Sequence, residues 1–131
     1  MTHVEPGLAT VLVVLGTRPE VVKLAPVVEA LQVEGVTTQV VVTGQHTTLL
    51  AGMPPLGDRV HSLELASSGS VVQFLLWAHR ALQACLRIVK PQVVVVQGDT
   101  MSAYAAARVA AQALVPVAHV EAGVRSDDPE E

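Results

Sequence analysis

The sequence predicts a three-layer α/β/α domain built on a parallel sheet. Three observations carry that expectation. Valine-rich runs that are apolar on both faces recur along the chain, as "LATVLVVL" at 8–15, "TTQVVVT" at 37–43 and "QVVVVQ" at 92–97. Strands of that kind belong to parallel sheets covered on both sides. Segments of helical period separate these runs, and strand alternating with helix is the pattern of a doubly covered sheet. Finally, the 131 residues hold one Phe, one Trp and one Tyr, so the core must be made of Val, Leu and Ala. Val suits strands and Ala suits helices.

Taken in order, the first strand leads into a helix over 18–34. Thr17 and Glu20 have the spacing of a capping box, and Pro19 stands in the first turn, where its missing N–H is harmless. Val21, Leu24, Val28 and Leu31 share a face, and Gly35 ends the helix. A second strand at 37–43 runs into "GQH". A short helical piece follows at 47–52, then the turn "GMPPLGD" and a short strand at 59–65. "SSGS" at 67–70 opens a helix over 71–89, which Lys90-Pro91 stops. After the strand at 92–97 come an alanine-rich helix at 101–114 and a last strand at 115–121. The whole chain, 1–131, reads as one domain. Right-handed crossovers give the strand order 3-2-1-4-5. Ligands of such sheets bind beyond the carboxyl ends of the strands, where the order reverses. That position lies between "GTRPE" and "QGDT", which sets Arg18 near Asp99.

Eight Lys and Arg against twelve Asp and Glu give a net charge of −4. This argues against nucleic acid or an anionic membrane as partner. The single Cys85 rules out an internal disulfide and, lying in a helical apolar pattern, reads as core filler. The first residues do not form a convincing signal peptide, and no apolar run reaches membrane-spanning length. A cytoplasmic protein is expected.

Every strand ends in residues able to do chemistry. The first ends at Arg18, the second at Gln45-His46, the fourth at Asp99 and the fifth at His119 and Glu121. Arg18 belongs to a helix cap or to an anion site, at a helix N-terminus whose free N–H groups attract anions. Lys23 offers a second cation. Asp99 is either a helix N-cap or a reactive carboxylate facing a ligand that Gly98 lets approach closely. Glu121 continues an apolar strand, where an unpaired carboxylate is expensive. His46 and His119 taken singly read as ordinary hydrogen-bonded side chains, and the spacing suits no metal. Two carboxylates facing cations fit proton transfer beside a phosphate leaving group, one of them raised in pKa by burial and by its neighbour.

"GTRPE-x-x-K-x-A-P", "V-T-G-Q-H", "V-x-V-Q-G-D-T" and "H-V-E-A-G-x-R", in this order, resemble the non-hydrolysing bacterial UDP-N-acetylglucosamine 2-epimerases. The resemblance implies a GT-B fold of two Rossmann-like domains, of which this chain matches the N-terminal half, without the C-terminal nucleotide-binding domain. It implies interconversion of UDP-GlcNAc and UDP-ManNAc without a cofactor, by anti elimination of UDP to 2-acetamidoglucal and re-addition. The catalytic carboxylates would be Asp99, Glu121 and Glu130. Glu130 stands either in a shortened "PEE" motif or in an acidic linker before it. Arg18, Lys23, His46 and Arg125 would bind substrate. Gln45 would belong to an activator site, though Thr48 departs from that site's pattern.

Expected partners are a UDP-sugar, a separate chain carrying the C-terminal domain, and further copies of this chain in a homo-oligomer joined through apolar surface at the loop edge. The isolated chain is expected to be inactive. Two other readings stay open: a non-catalytic binding or assembly module that kept the fold, and the N-terminal half of a GT-B glycosyltransferase.

Overall fold

The computed structural model describes residues 11–65 and 69–121, with His46 described in its backbone alone. Nine elements follow in order: β1 (Val11–Leu15), α1 (Arg18–Val33), β2 (Thr38–Val42), α2 (His46–Leu50), β3 (Val60–Ser62), α3 (Val71–Val89), β4 (Val93–Gln97), α4 (Met101–Gln112) and β5 (Val117–Val120). The strands form one sheet in the order β3-β2-β1-β4-β5, and every neighbouring pair is parallel. The expected topology is the observed one.

The two-residue period of a strand divides the core into two layers. Val11, Val13 and Leu15 of β1 point to one side and pack with Val21, Leu24 and Val28 of α1. Leu12 and Val14 point to the other and pack with Leu82, Cys85 and Val89 of α3 and with Ala106 and Val109 of α4. Small side chains on α4 let that helix lie close to the sheet. Cys85 is buried in this layer, as its apolar pattern suggested.

Helix ends follow local chemistry. At the end of α1, the Gly35 N–H donates to the Gln32 carbonyl and the Val36 N–H to the Leu31 carbonyl, closing a Schellman turn with Gly35 at φ 81°. At the end of α4, the same pair of bonds runs from Leu114 to Ala111 and from Val115 to Ala110. There the left-handed position, φ 60°, is held by Leu114, which is 90% exposed. Pro26 lies inside α1 on its exposed side, and the helix continues through it.

Two differences from expectation concern surfaces. The strands are shorter than their apolar runs; β5 begins at Val117 and stops before Glu121. Among the described residues, most exposed large apolar side chains lie on α3 and α4, including Val72, Leu76, Trp77, Met101 and Tyr104, with Val22 and Val33 on α1. Among the described residues, no helix is long and apolar enough to cross a membrane.

Candidate active site

The loops after β1, β2, β4 and β5 meet at the carboxyl edge of the sheet. β4 and β5 both end in a left-handed residue, Gly98 at φ 71° and Glu121 at φ 63°. Glycine takes that conformation freely, whereas a side-chain-bearing residue is held in it at about 1–2 kcal/mol. The turn aims the Glu121 carboxylate back across the sheet edge. Its Oε1 accepts from Gln97 Nε2 at 2.8 Å, and its Oε2 pairs with Lys23 Nζ at 2.9 Å. His119, two residues earlier, donates from Nε2 to the Gly98 carbonyl and so ties β5 to the β4 loop.

These contacts set the electrostatics of Glu121, one of the two carboxylates between which the sequence leaves the raised pKa open. The residue lies beyond the strand and is exposed, and the upward push of desolvation is outweighed by its hydrogen bonds. The hydrogen bond from Lys23 and then that from Gln97 stabilise the carboxylate, and its pKa lies below the usual carboxylate value.

Asp99 is not a helix cap. The N-cap of α4 is Thr100, whose hydroxyl accepts from the Ala103 N–H at 3.1 Å. Asp99 stands one residue earlier, exposed at the edge, with its side chain free of that duty.

Arg18 turns away from Asp99. Its Nη1 donates to the carbonyls of Thr48 and Leu49, both at 3.3 Å, at the end of α2, where a cation meets the negative end of the helix. Among the described residues, no ion pair joins Arg18 to Asp99. Gln45 caps α2 with its backbone, and Thr48 Oγ1 donates to its Oε1 at 3.4 Å. The edge therefore holds two groups, Arg18 with Gln45 and Thr48, and Lys23 with Gln97 and Glu121. Glu130 and Arg125 lie outside the described residues, as does the side chain of His46.

The start of α1 also differs from expectation. Glu20, 1% exposed, occupies amides expected to attract an external anion. Its Oε1 accepts from the Gly16 N–H at 2.9 Å, the Thr17 N–H at 2.8 Å and the Thr17 hydroxyl at 2.9 Å. An anionic ligand at this edge must rely on side-chain cations instead.

Between these loops lies a crevice of about 270 Å3. Gly16, Thr17, Thr43, Thr100 and Ser102 contribute to its walls. Thr43 and Ser102 are buried and share a hydrogen bond of 2.9 Å between their hydroxyls. A methyl group on Gly16 would stand 2.3 Å from Ser102 Oγ and 2.5 Å from Thr43 Oγ1, so only glycine fits. Sequence reading missed Thr43, Thr100 and Ser102. Their one signal was a hydroxyl at a strand end or helix start, which is common in any fold. Two larger grooves, of about 440 and 380 Å3, lie along α3 and α4 and include none of the candidate residues.

A parallel sheet in this order, with its polar groups gathered at the carboxyl edge, defines a Rossmann-like domain of the kind paired in GT-B folds. The model of the UDP-N-acetylglucosamine 2-epimerase family matches residues 29–131, and the chain belongs to that family. It is 36% identical over 123 residues to the UDP-N-acetylglucosamine 2-epimerase of Methanocaldococcus jannaschii, covering 88% of this chain and 33% of that protein. Against the Escherichia coli K12 enzyme, identity is 37% over 122 residues, covering 90% and 32%.

Two solved structures agree. The M. jannaschii epimerase crystallised with UDP-GlcNAc and UDP superposes with a TM-score of 0.79 at 35% identity, over 92% of this chain and 34% of that one. The Neisseria meningitidis epimerase bound to UDP-GlcNAc gives 0.78 at 33% identity, over 90% and 33%. The chain thus spans about a third of the length of these relatives and corresponds to their N-terminal half.

Proposed function

We propose that this chain supplies the carboxylates of a UDP-N-acetylglucosamine 2-epimerase, acting with a nucleotide-binding half. The observation that carries the reading is the Glu121 carboxylate, held at a left-handed turn by Lys23 and Gln97 beside the loop that presents Asp99. In the reaction, the bond from C1 to the UDP oxygen breaks while the C2 proton is removed, leaving 2-acetamidoglucal and UDP. A proton returned to the opposite face of C2, with UDP added back to C1, gives the epimer.

Lys23 and Gln97 stabilise the Glu121 carboxylate and lower its pKa. It is therefore suited to accept a proton or to stabilise developing positive charge, and unsuited to donate one. Asp99 is the second carboxylate. Arg18 and Lys23 offer charge to the departing diphosphate. Arg125, His46 and Glu130 complete the expected set. A separate chain carrying the C-terminal domain and self-association of this chain remain part of the same proposal.

The test uses a fusion of this chain to the remaining two thirds of the M. jannaschii relative. Asp99→Asn and Glu121→Gln are each expected to lower epimerisation by at least about 10²-fold, the lower end for a positioned proton-transfer group. Exchange of the C2 proton with solvent deuterium should fall in parallel. If both variants turn over and exchange like the unsubstituted fusion, the assignment fails.

A further inference from the structure

Glu20 is a buried carboxylate to which the proposed chemistry gives no task. We infer that it is a positioning residue that clamps the Arg18 loop onto the Asp99 loop and closes the start of α1 to external anions. This inference rests on the proposed role of that edge. The two oxygens of Glu20 divide between two loops that are 80 residues apart in the chain. Oε1 takes all three of its donors from Gly16 and Thr17, just before Arg18. Oε2 accepts from the Thr100 hydroxyl at 2.9 Å, just after Asp99.

Oε1 accepts three bonds and Oε2 one, and these four bonds compensate the burial of the carboxylate. The Thr100 hydroxyl is equally committed. It has one hydrogen, given to Glu20, and its oxygen accepts from the Ala103 N–H that starts α4. Movement of either loop must break this chain of bonds. The same geometry has an electrostatic effect. Glu20 places a fixed negative charge at amides that would otherwise cradle phosphate. A diphosphate is thereby directed outward to the side chains of Arg18 and Lys23.

The test follows backbone amide resonances of the 131-residue chain by NMR, without sugar nucleotide, so it reports on Glu20 even if the epimerase assignment fails. Glu20→Gln is not decisive, because its NH₂ group can donate to the second lone pair of the Thr100 hydroxyl and keep the cross-loop bond with its direction reversed. Thr100→Val removes the donor and breaks the bond, and Thr100→Ser preserves it. Thr100→Val is expected to shift the Gly16 and Thr17 amides of the opposite loop, and Thr100→Ser to leave them in place. The clamp is overturned if the Gly16 and Thr17 amides stay in place in Thr100→Val, or if Thr100→Ser shifts them as Thr100→Val does. In a parallel titration with inorganic phosphate, the Gly16 and Thr17 amides should shift saturably in Glu20→Ala and stay unmoved in the native chain. Saturable shifts of the native chain matching those of Glu20→Ala would overturn the closure. The Thr100→Val and Thr100→Ser arms decide the clamp even if the alanine variant does not fold.

Discussion

Lys23 and Glu121, 98 residues apart in sequence, form an ion pair of 2.9 Å across the carboxyl edge of the sheet. Their side chains are 50% and 40% exposed. Solvent screens such a pair, and its contribution to stability is small. Its consequence is positional: it holds a carboxylate of the β5 end over the β4 end, with a cation from α1 beside it.

The pH dependence follows from the direction of the Glu121 shift. Its folded pKa lies below the ordinary carboxyl value of 4.5, so its contribution to stability is present above that value. The contribution disappears as pH falls through the lower folded value. A carboxyl titration by NMR should place the Glu121 midpoint below 4.5, and Lys23→Ala should move it upward. A midpoint that ignores the loss of Lys23 would contradict the pairing.

Arg18→Ala removes both bonds to the end of α2. Amide exchange in α2 is expected to accelerate while the β1 and β4 amides keep their protection. In the fused enzyme, the substitution should raise KM and lower kcat together, because it removes a charge offered to the diphosphate. Unchanged exchange and unchanged kinetics would leave Arg18 without a role.

Gly16→Ala forces a methyl group against the buried Thr43–Ser102 hydroxyl pair. Overpacking of this kind typically costs about 1–3 kcal/mol. Urea denaturation should show the loss, and Ser102→Gly in the same chain should recover part of it by removing one obstruction. Equal stability of Gly16→Ala and the native chain would show that the crevice floor yields.

Leu114→Gly should stabilise the chain. The residue sits at φ 60° and is 90% exposed, so the change relieves backbone strain and removes almost no packing. A gain of about 1 kcal/mol is expected, part of the about 1–2 kcal/mol strain being offset by the greater flexibility of unfolded glycine. A lower melting temperature for the variant would count against this account of the α4 terminus.

The elements were legible because their signals are local. The run from Val11 to Leu15 is apolar throughout and is buried throughout. The helix read over 71–89 is α3 to the residue. Gly35 ended α1 as its conformational freedom suggested. Pro26 lies on the exposed face of α1, where water can serve the carbonyl left without a partner. Leu114 gave no such signal, since a leucine does not announce a left-handed turn.

The sequence by itself determined the alternation of elements, the two apolar faces of the central strands and the gathering of polar residues at strand ends. Each follows from neighbours along the chain, through periodicity, capping and turn preference. Tertiary structure alone decided which polar residues meet. Strand order placed Arg18, Lys23, Asp99 and Glu121 along one edge, but side-chain partners turned Arg18 toward α2 and Lys23 toward Glu121. Glu20 could be read as a cap from its distance to Thr17; its bond to Thr100 joins residues that only the parallel sheet brings together. The same holds for the direction of the Glu121 pKa, which depends on a lysine and a glutamine delivered by other elements. Electrostatics and hydrogen bonding act through space, and the spacing of residues along the chain does not contain that distance.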